Sequence, residues 1–247
     1  MKAPISRYFQ HWSQQLLDVL YPRECLVYGE PVESNSPCRF LSRRALEMIY
    51  FIHEPHCSTC GAPFFGELLA LRECPHCREL NPAFSRGRSL FLLRDTGREF
   101  IHELKYNNGR HLAPDLTPIL QRNPRFLEFL QGSVLVPIPL HAVRERERGY
   151  NQSLLISQQL SQASGCPTVE MLQRVKFTET QTRLDRSQRQ ANLRNAFALK
   201  PGVKAPLQQR ITLVDDVFTT GATLNSAAKT LLAAGVEQID VVTLGHG

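Results

Sequence analysis

The rhythm of apolar and polar positions changes about a third of the way along the chain. Near the amino terminus, Ile5, Tyr8, Phe9, Trp12, Leu16, Leu17 and Leu20 recur at helical spacing, and Pro22 ends the run. This pattern predicts an amphipathic helix over 5–20 that packs on the remainder of the protein, since a lone helix of that length is seldom stable. Few Lys or Arg flank it, so membrane association is the weaker option. From Arg88 onward, short apolar runs alternate with helical patterns. Strands are expected at 89–93, 132–138, 211–214 and 238–244. Helices are expected at 98–106, 111–130 (one long or two shorter), 150–163 and 223–234. Asn107-Asn108-Gly109 breaks the chain between two of these helices, and Gly165 and Gly235 stop two others. Strands alternating with helices predict a mostly parallel sheet flanked by helices, with ligands at the carboxyl ends of the strands.

One such end carries unusual chemistry. Ile211-Thr-Leu-Val-Asp-Asp-Val-Phe-Thr-Thr-Gly-Ala-Thr223 runs from an apolar strand into two adjacent carboxylates, then into a turn rich in hydroxyls that opens a helix. Carboxylates accept hydrogen bonds from ribose hydroxyls, and the N–H groups of a turn and helix start suit a phosphate. Asp215 and Asp216 are therefore candidates for a ribose, and Thr219, Thr220, Gly221, Ala222 and Thr223 for its phosphate. Successive strand side chains alternate faces. We therefore expect at least one acid to lie in the turn, or both to lie beyond the regular strand.

The cysteines add a second centre. Cys57, Cys60, Cys74 and Cys77 form two C-x2-C pairs, the arrangement of a tetrahedral four-thiolate zinc site. Paired knuckles of this spacing favour metal over disulfides. Cys25, with Tyr28 three positions on, and Cys38, with Leu41 three positions on, have the outline of further knuckles that lack half their ligands. One structural zinc is expected, not two, with His53 and His56 as the nearest substitute ligands. Cys166 reads as an ordinary thiol.

Charge is spread unevenly. The chain has 247 residues and a formal net charge of +6. Residues 1–86 are neutral, and most of the excess lies within 144–194. Such a stretch suits a polyanion. Two portions stand out. Val136-Pro-Ile-Pro-Leu140 ends a strand and leads into Arg144-Glu-Arg146-Glu-Arg148-Gly-Tyr-Asn-Gln152, read as a basic loop for a pyrophosphate or for nucleic acid. Its alternation of sign also fits a self-paired exposed segment. Arg174 and Lys176, followed by Arg183, Arg186 and Arg189, form a polar basic stretch long enough for a mobile lid, or for a plain surface connection. No apolar run approaches the ~20 residues that cross a bilayer, and the first residues do not read as a secretory signal. A cytoplasmic protein is expected. The division read from these patterns is 1–86 for the helix and zinc-binding region and 87–247 for the α/β domain.

The 211–223 run resembles the signature of type I phosphoribosyltransferases, which bind 5-phosphoribosyl-1-pyrophosphate (PRPP). Together with Pro-x-Pro-Leu, Arg-x-Arg-x-Arg-Gly-Tyr-Asn-Gln and Arg-x-Lys-x-Thr-x-x-Gln (174–181), it is similar to the ComF/GntX-type family over roughly 20–247. The resemblance implies a phosphoribosyltransferase fold with an amino-terminal zinc region and a part in natural competence, the import and processing of single-stranded DNA. It further implies Asp215 and Asp216 on the ribose of PRPP, 219–223 on its 5-phosphate, and the 144–149 segment with Mg²⁺ on the pyrophosphate. Two functions follow from it. One is a pentosyl transferase whose acceptor the sequence does not name. The other is a non-catalytic module for single-stranded nucleic acid, with Tyr150 and Phe177 available to stack bases and the zinc region docking a helicase or DNA-processing partner. Tyr28 and Leu41 stand where relatives often have a fuller cysteine set.

Overall fold

The computed structural model describes residues 23–64, 74–106, 108–176, 196–203 and 209–247. The helix expected at 5–20 lies outside them, as do Phe177, Arg183, Arg186 and Arg189. In chain order the described elements are α1 (Arg43–Glu47), α2 (Pro75–Leu80), β1 (Arg86–Leu92), α3 (Asp95–Tyr106), a 3₁₀ segment (Gly109–Asp115), α4 (Leu116–Gln121), α5 (Pro124–Glu128), β2 (Ser133–Pro137), α6 (Ala142–Arg148), α7 (Gln152–Ser164), β3 (Leu172–Arg174), β4 (Phe197–Leu199), β5 (Arg210–Phe218), α8 (Ala222–Ala233) and β6 (Ile239–His246). β1, β6, β5 and β2 form a parallel sheet in that order, and β3 with β4 forms a separate antiparallel pair.

Period-two alternation sorts the strand side chains onto two faces. Val134, Val136, Ile211, Leu213, Ile239 and Val241 share one core with α8, the β3–β4 pair and the four clustered cysteines. Leu135, Val214, Val242 and Leu244 share the other with α3, α4, α7, Cys25 and Cys38. Parallel sheets are buried on both faces, which is why these strands read as nearly unbroken apolar runs.

Local chemistry explains most element ends. The 111–130 stretch is not one helix. It is a 3₁₀ segment and two short α-helices, divided where Asn123 accepts from Phe126 N–H and Pro124 starts the next turn. α7 begins at Asn151, whose side chain accepts from Ser153 N–H, and stops at Gly165 in the left-handed region. The segment read as a basic loop at 144–149 is mostly a helix, α6. Its Arg and Glu residues are good helix formers, His141 caps the start, and Gly149 closes it with a left-handed turn.

The cysteine region packs directly on β1. Gly61 sits at φ +78°, and a Cβ there would lie 2.6 Å from the Ser89 nitrogen, so both its backbone angle and its surroundings require glycine. Residues 24–31 repeat the turn of 56–63. Gly29 N–H donates to the Cys25 carbonyl as Gly61 N–H does to Cys57, and both glycines have positive φ. The incomplete knuckle at Cys25 therefore keeps the turn while Tyr28 replaces the second sulfur. The Arg44 guanidinium lies 4.4 Å from the centre of the Tyr28 ring. Asp115 ties this region down by accepting from Arg39 N–H and Phe40 N–H, both at 2.8 Å.

At the amino ends of the strands the buried Asp240 accepts from Arg86 at 2.7 Å, with Arg210 at 3.7 Å. Both guanidiniums also lie over the Phe129 ring. Asp240→Asn keeps the shape and removes the charge, leaving two arginines without their common anion. The expected loss is about 2 kcal/mol in urea unfolding, less than the ~3–5 kcal/mol for a fully buried pair because Arg86 is half exposed. An unchanged denaturation midpoint would show that the cluster contributes nothing.

Candidate functional site

The site is built where β2 stops. β2 ends at Pro137, paired with Val214, and Ile138 N–H makes the last bond to the Val214 carbonyl. β5 continues to Phe218 and stays paired with β6 throughout. Residues 215 and beyond therefore have an open edge on the β2 side. Asn151 fixes the start of α7 beside that edge by donating to the Ile138 carbonyl at 3.0 Å.

Both acids lie inside β5, contrary to the expectation that at least one lies in the turn or both lie beyond the strand. The pleat does alternate them. Asp216 faces the α3–α7 side, and Asp215 faces the side of the β3–β4 pair. They nevertheless share one support, because the first turn of α7 fills the open edge. Gln152 Nε2 donates to Asp216 at 3.0 Å and Ser153 Oγ donates to Asp215 at 2.9 Å. Lys105, from the end of α3, reaches Asp216 at 3.3 Å. Burial raises the Asp215 carboxyl to about 7, and the neighbouring Asp216 charge pushes the same way. The Ser153 hydroxyl, the Asp216 amide and Lys105 oppose that rise.

Beyond the acids the chain turns at 219–221 into α8, with Gly221 at φ +68° as its N-cap. Among the described residues, the N–H groups of Thr219, Thr220 and Gly221 make no hydrogen bond, and Ala222 N–H has only the Thr220 hydroxyl at 3.4 Å. With the first turn of a twelve-residue helix behind them, these donors form a cradle for an anion.

The basic residues are only partly assembled around this centre. Arg174 is largely buried, its guanidinium over the Phe197 ring, close enough to Asp215 and Arg144 to feel both charges. Burial lowers its pKa. Because α6 is a helix, Arg144 and Arg148 share a face while Arg146 lies round the other side and is exposed. Arg144 pairs with Glu147 at 3.5 Å, and Arg148 lies over the Tyr106 ring at 5.2 Å. Lys176 is exposed at the end of the described stretch. Tyr150 is no stacking surface, since it is 4% exposed and donates to the Leu104 carbonyl at 2.6 Å. Tyr106, unremarked in the sequence, is 61% exposed and stands next to Lys105. Lys105 and Ser153 also escaped the sequence reading, because nothing local connects either to a strand far along the chain. A cavity of about 450 Å³ lies elsewhere, against β1, lined by His53, His56, Arg88, Arg125 and Phe129 among others. It contains none of the residues above.

The four cysteines converge. All are buried, and their sulfur atoms lie within 4.8 Å of one another. Cys57 to Cys77 is 4.0 Å and Cys60 to Cys74 is 3.7 Å. A zinc ion with ~2.3 Å bonds needs tetrahedral edges of about 3.8 Å, so the donor set fits. Cys74 N–H also points at the Cys57 sulfur at 3.3 Å, a contact that stabilises a thiolate. Among the described residues no other such group of ligands forms. Cys38 donates to the Asp115 carbonyl, and burial with the Asp115 charge pushes its thiol up to about 12.

Comparisons with known proteins complete the picture. No family model matches the chain. It is 33% identical over 192 residues to competence protein F of Haemophilus influenzae, covering 76% of this chain and 82% of that protein. It is 32% identical over 191 residues to the DNA utilization protein YhgH of Escherichia coli K12, covering 75% and 81%. With competence protein ComFC of Bacillus subtilis the identity is 37% over 182 residues, covering 72% of each. A solved structure of the allosteric regulatory enzyme of purine biosynthesis aligns at 18% identity and a TM-score of 0.32, covering 59% of this chain and 30% of that one. That structural match is too loose to bear on function. No helix among the described residues is long and apolar enough to cross a membrane. The motifs, the parallel sheet with its four-cysteine cluster and the extent of these identities agree, and the chain belongs to the ComF family of competence-associated proteins.

Proposed function

We propose that the protein binds PRPP with Mg²⁺ at the end of β5 and acts as a phosphoribosyltransferase-type, pentosyl-transferring protein in the handling of imported DNA. The observation that carries this reading is the pairing of two carboxylates with an adjoining cradle of undonated N–H groups on one strand end. Asp215 and Asp216 would accept from the ribose hydroxyls, and the 219–223 turn would hold the 5-phosphate. Arg144, Arg148 and Arg174 would grip the pyrophosphate. Mg²⁺ would arrive with the pyrophosphate and lower the cost of its charge, since this ion favours carboxylate and phosphate oxygens. Charge stabilisation of that departing group would be the main contribution of the protein to catalysis.

A second reading rests on a different observation. Tyr106 is an exposed aromatic beside Arg148, and Arg110 donates to the Gly149 carbonyl nearby. An aromatic with flanking arginines suits single-stranded nucleic acid, consistent with relatives named for competence and DNA utilization. A helicase or DNA-processing partner on the zinc region belongs to this reading.

Calorimetric titration of PRPP with Mg²⁺ into the zinc-loaded protein is expected to show saturable binding, lost in the Asp215→Asn/Asp216→Asn double variant. Absence of heat with the unaltered protein would eliminate the transferase reading. Affinity should also rise with pH. Asp215, with its pKa raised to about 7, is neutral below that value and ionised above it, and only the carboxylate accepts two ribose hydroxyls well. Binding at about pH 8 should exceed binding at about pH 6 by up to about tenfold, and Asp215→Asn should flatten the difference. For the second reading, an oligodeoxythymidine titration followed by anisotropy should weaken steeply with salt, by about 0.7 log units per decade for each phosphate neutralised. Arg148→Gln should reduce that slope, and a salt-independent affinity would count against it.

A further inference from the structure

The cysteine hairpin and the residues after it touch the 219–221 turn at two points and α8 at a third. His76, between the second pair of cysteines, has its Nε2 3.1 Å from the Thr220 carbonyl oxygen. A carbonyl only accepts, so the ring nitrogen is the donor. Leu80, at the end of α2, packs against Gly221 together with Phe218. A Cβ on Gly221 would lie 2.7 Å from Leu80 Cδ2 and 2.5 Å from the Phe218 ring, so the backbone there is wedged between two side chains. Asn225, one turn into α8, accepts from Ala83 N–H at 2.8 Å and donates to the Leu80 carbonyl at 3.4 Å.

The first contact has a directional consequence. The Thr220–Gly221 peptide is trans, and a trans peptide points its C=O and N–H in opposite directions. With the Thr220 carbonyl held toward His76, the Gly221 N–H must point away from the zinc hairpin. It points to the side where it meets no protein acceptor. The Leu80–Gly221 wedge prevents the same peptide from sliding along the helix axis. The four buried sulfurs hold His76 and Leu80 in turn, because Cys74 is the N-cap of α2 and Cys77 lies within it.

We propose that His76 and Leu80 are positioning residues for the anion cradle, and that the metal-bound hairpin sets the orientation of the Gly221 N–H. The zinc centre is then a support for the sugar-phosphate site as well as a local staple. The ligand side of this statement rests on the PRPP reading; the orientation of the peptide does not.

The test uses the full-length zinc-loaded protein and reads two quantities. Native-state hydrogen exchange at Asn225, whose N–H donates to the Gly221 carbonyl at 2.8 Å, should become about tenfold faster in His76→Ala and in Leu80→Ala, while β2 keeps its protection. His76→Gln, which retains a donor, should restore slow exchange. Removal of the metal with a chelator should speed exchange at Asn225 in the same way. In parallel, PRPP affinity should fall about tenfold in His76→Ala, the size of one lost oriented hydrogen bond. Exchange at Asn225 that is unchanged in both variants and after chelation overturns the proposal, whatever PRPP does. Faster exchange in a protein that never binds PRPP supports the positioning role and removes only the sugar-phosphate reading. A His76→Ala protein that fails to fold is replaced by Leu80→Ala, which leaves every polar contact of the hairpin in place.

Discussion

The site depends on the difference in length between β2 and its neighbour. β2 ends opposite Val214, at a proline, and a second proline follows at 139. Ile138 N–H makes the last bond to β5, and the Ile138 carbonyl accepts from the Asn151 side chain instead, so pairing on that side of β5 stops while pairing with β6 continues. The vacated edge admits the first turn of α7. Without that step, Asp215 and Asp216, on opposite faces of the sheet, could not share consecutive residues of one helix as partners.

The electrostatics follow from this placement. Two carboxylates one residue apart inside a sheet repel each other and are poorly solvated, so one of them rises toward neutrality. The protein offsets the charge of Asp216 with Lys105 and leaves Asp215 with a hydroxyl and an amide. The result is an asymmetric pair, one acid held by a cation and the other raised toward neutrality. Arg174, desolvated near Asp215, completes a centre in which positive charge approaches from two elements, α3 and β3.

The amino-terminal region shows the same turn used twice with different chemistry. At 56–63 the turn presents two sulfurs to a four-cysteine cluster, and at 24–31 it presents one sulfur and a tyrosine. The first copy shares a core with α8 and the anion cradle. The second shares a core with the opposite face of the sheet, where Cys25, Cys38 and Leu41 pack as apolar residues. One copy ends in a cluster of four cysteines placed to hold a metal, and hydrophobic packing with the Asp115 carboxylate holds the other.

Much of this was legible in the chain because it is local. The C-x2-C pairs, the Asp-Asp followed by Thr-Thr-Gly, and the alternating strand and helix periods each lie within a few residues, where spacing alone dictates geometry. The misreadings share one cause. The 144–149 segment looked like a loop because its charges alternate, yet caps at His141 and Gly149 close it into a helix that separates Arg146 from Arg144 and Arg148. The acid pair looked incompatible with a continuing strand because a strand was considered by itself, without the helix that fills its edge. The sequence alone determined the chemistry available, namely the thiolates, the acids and the glycine at the turn. Only the tertiary structure decided which distant groups meet them. Lys105 and Ser153 at the acids, and His76 and Leu80 at the turn, are brought there by a crossing helix, an unequal strand pair and the four-cysteine hairpin. Contacts across such sequence distances leave no pattern in either partner's own neighbourhood.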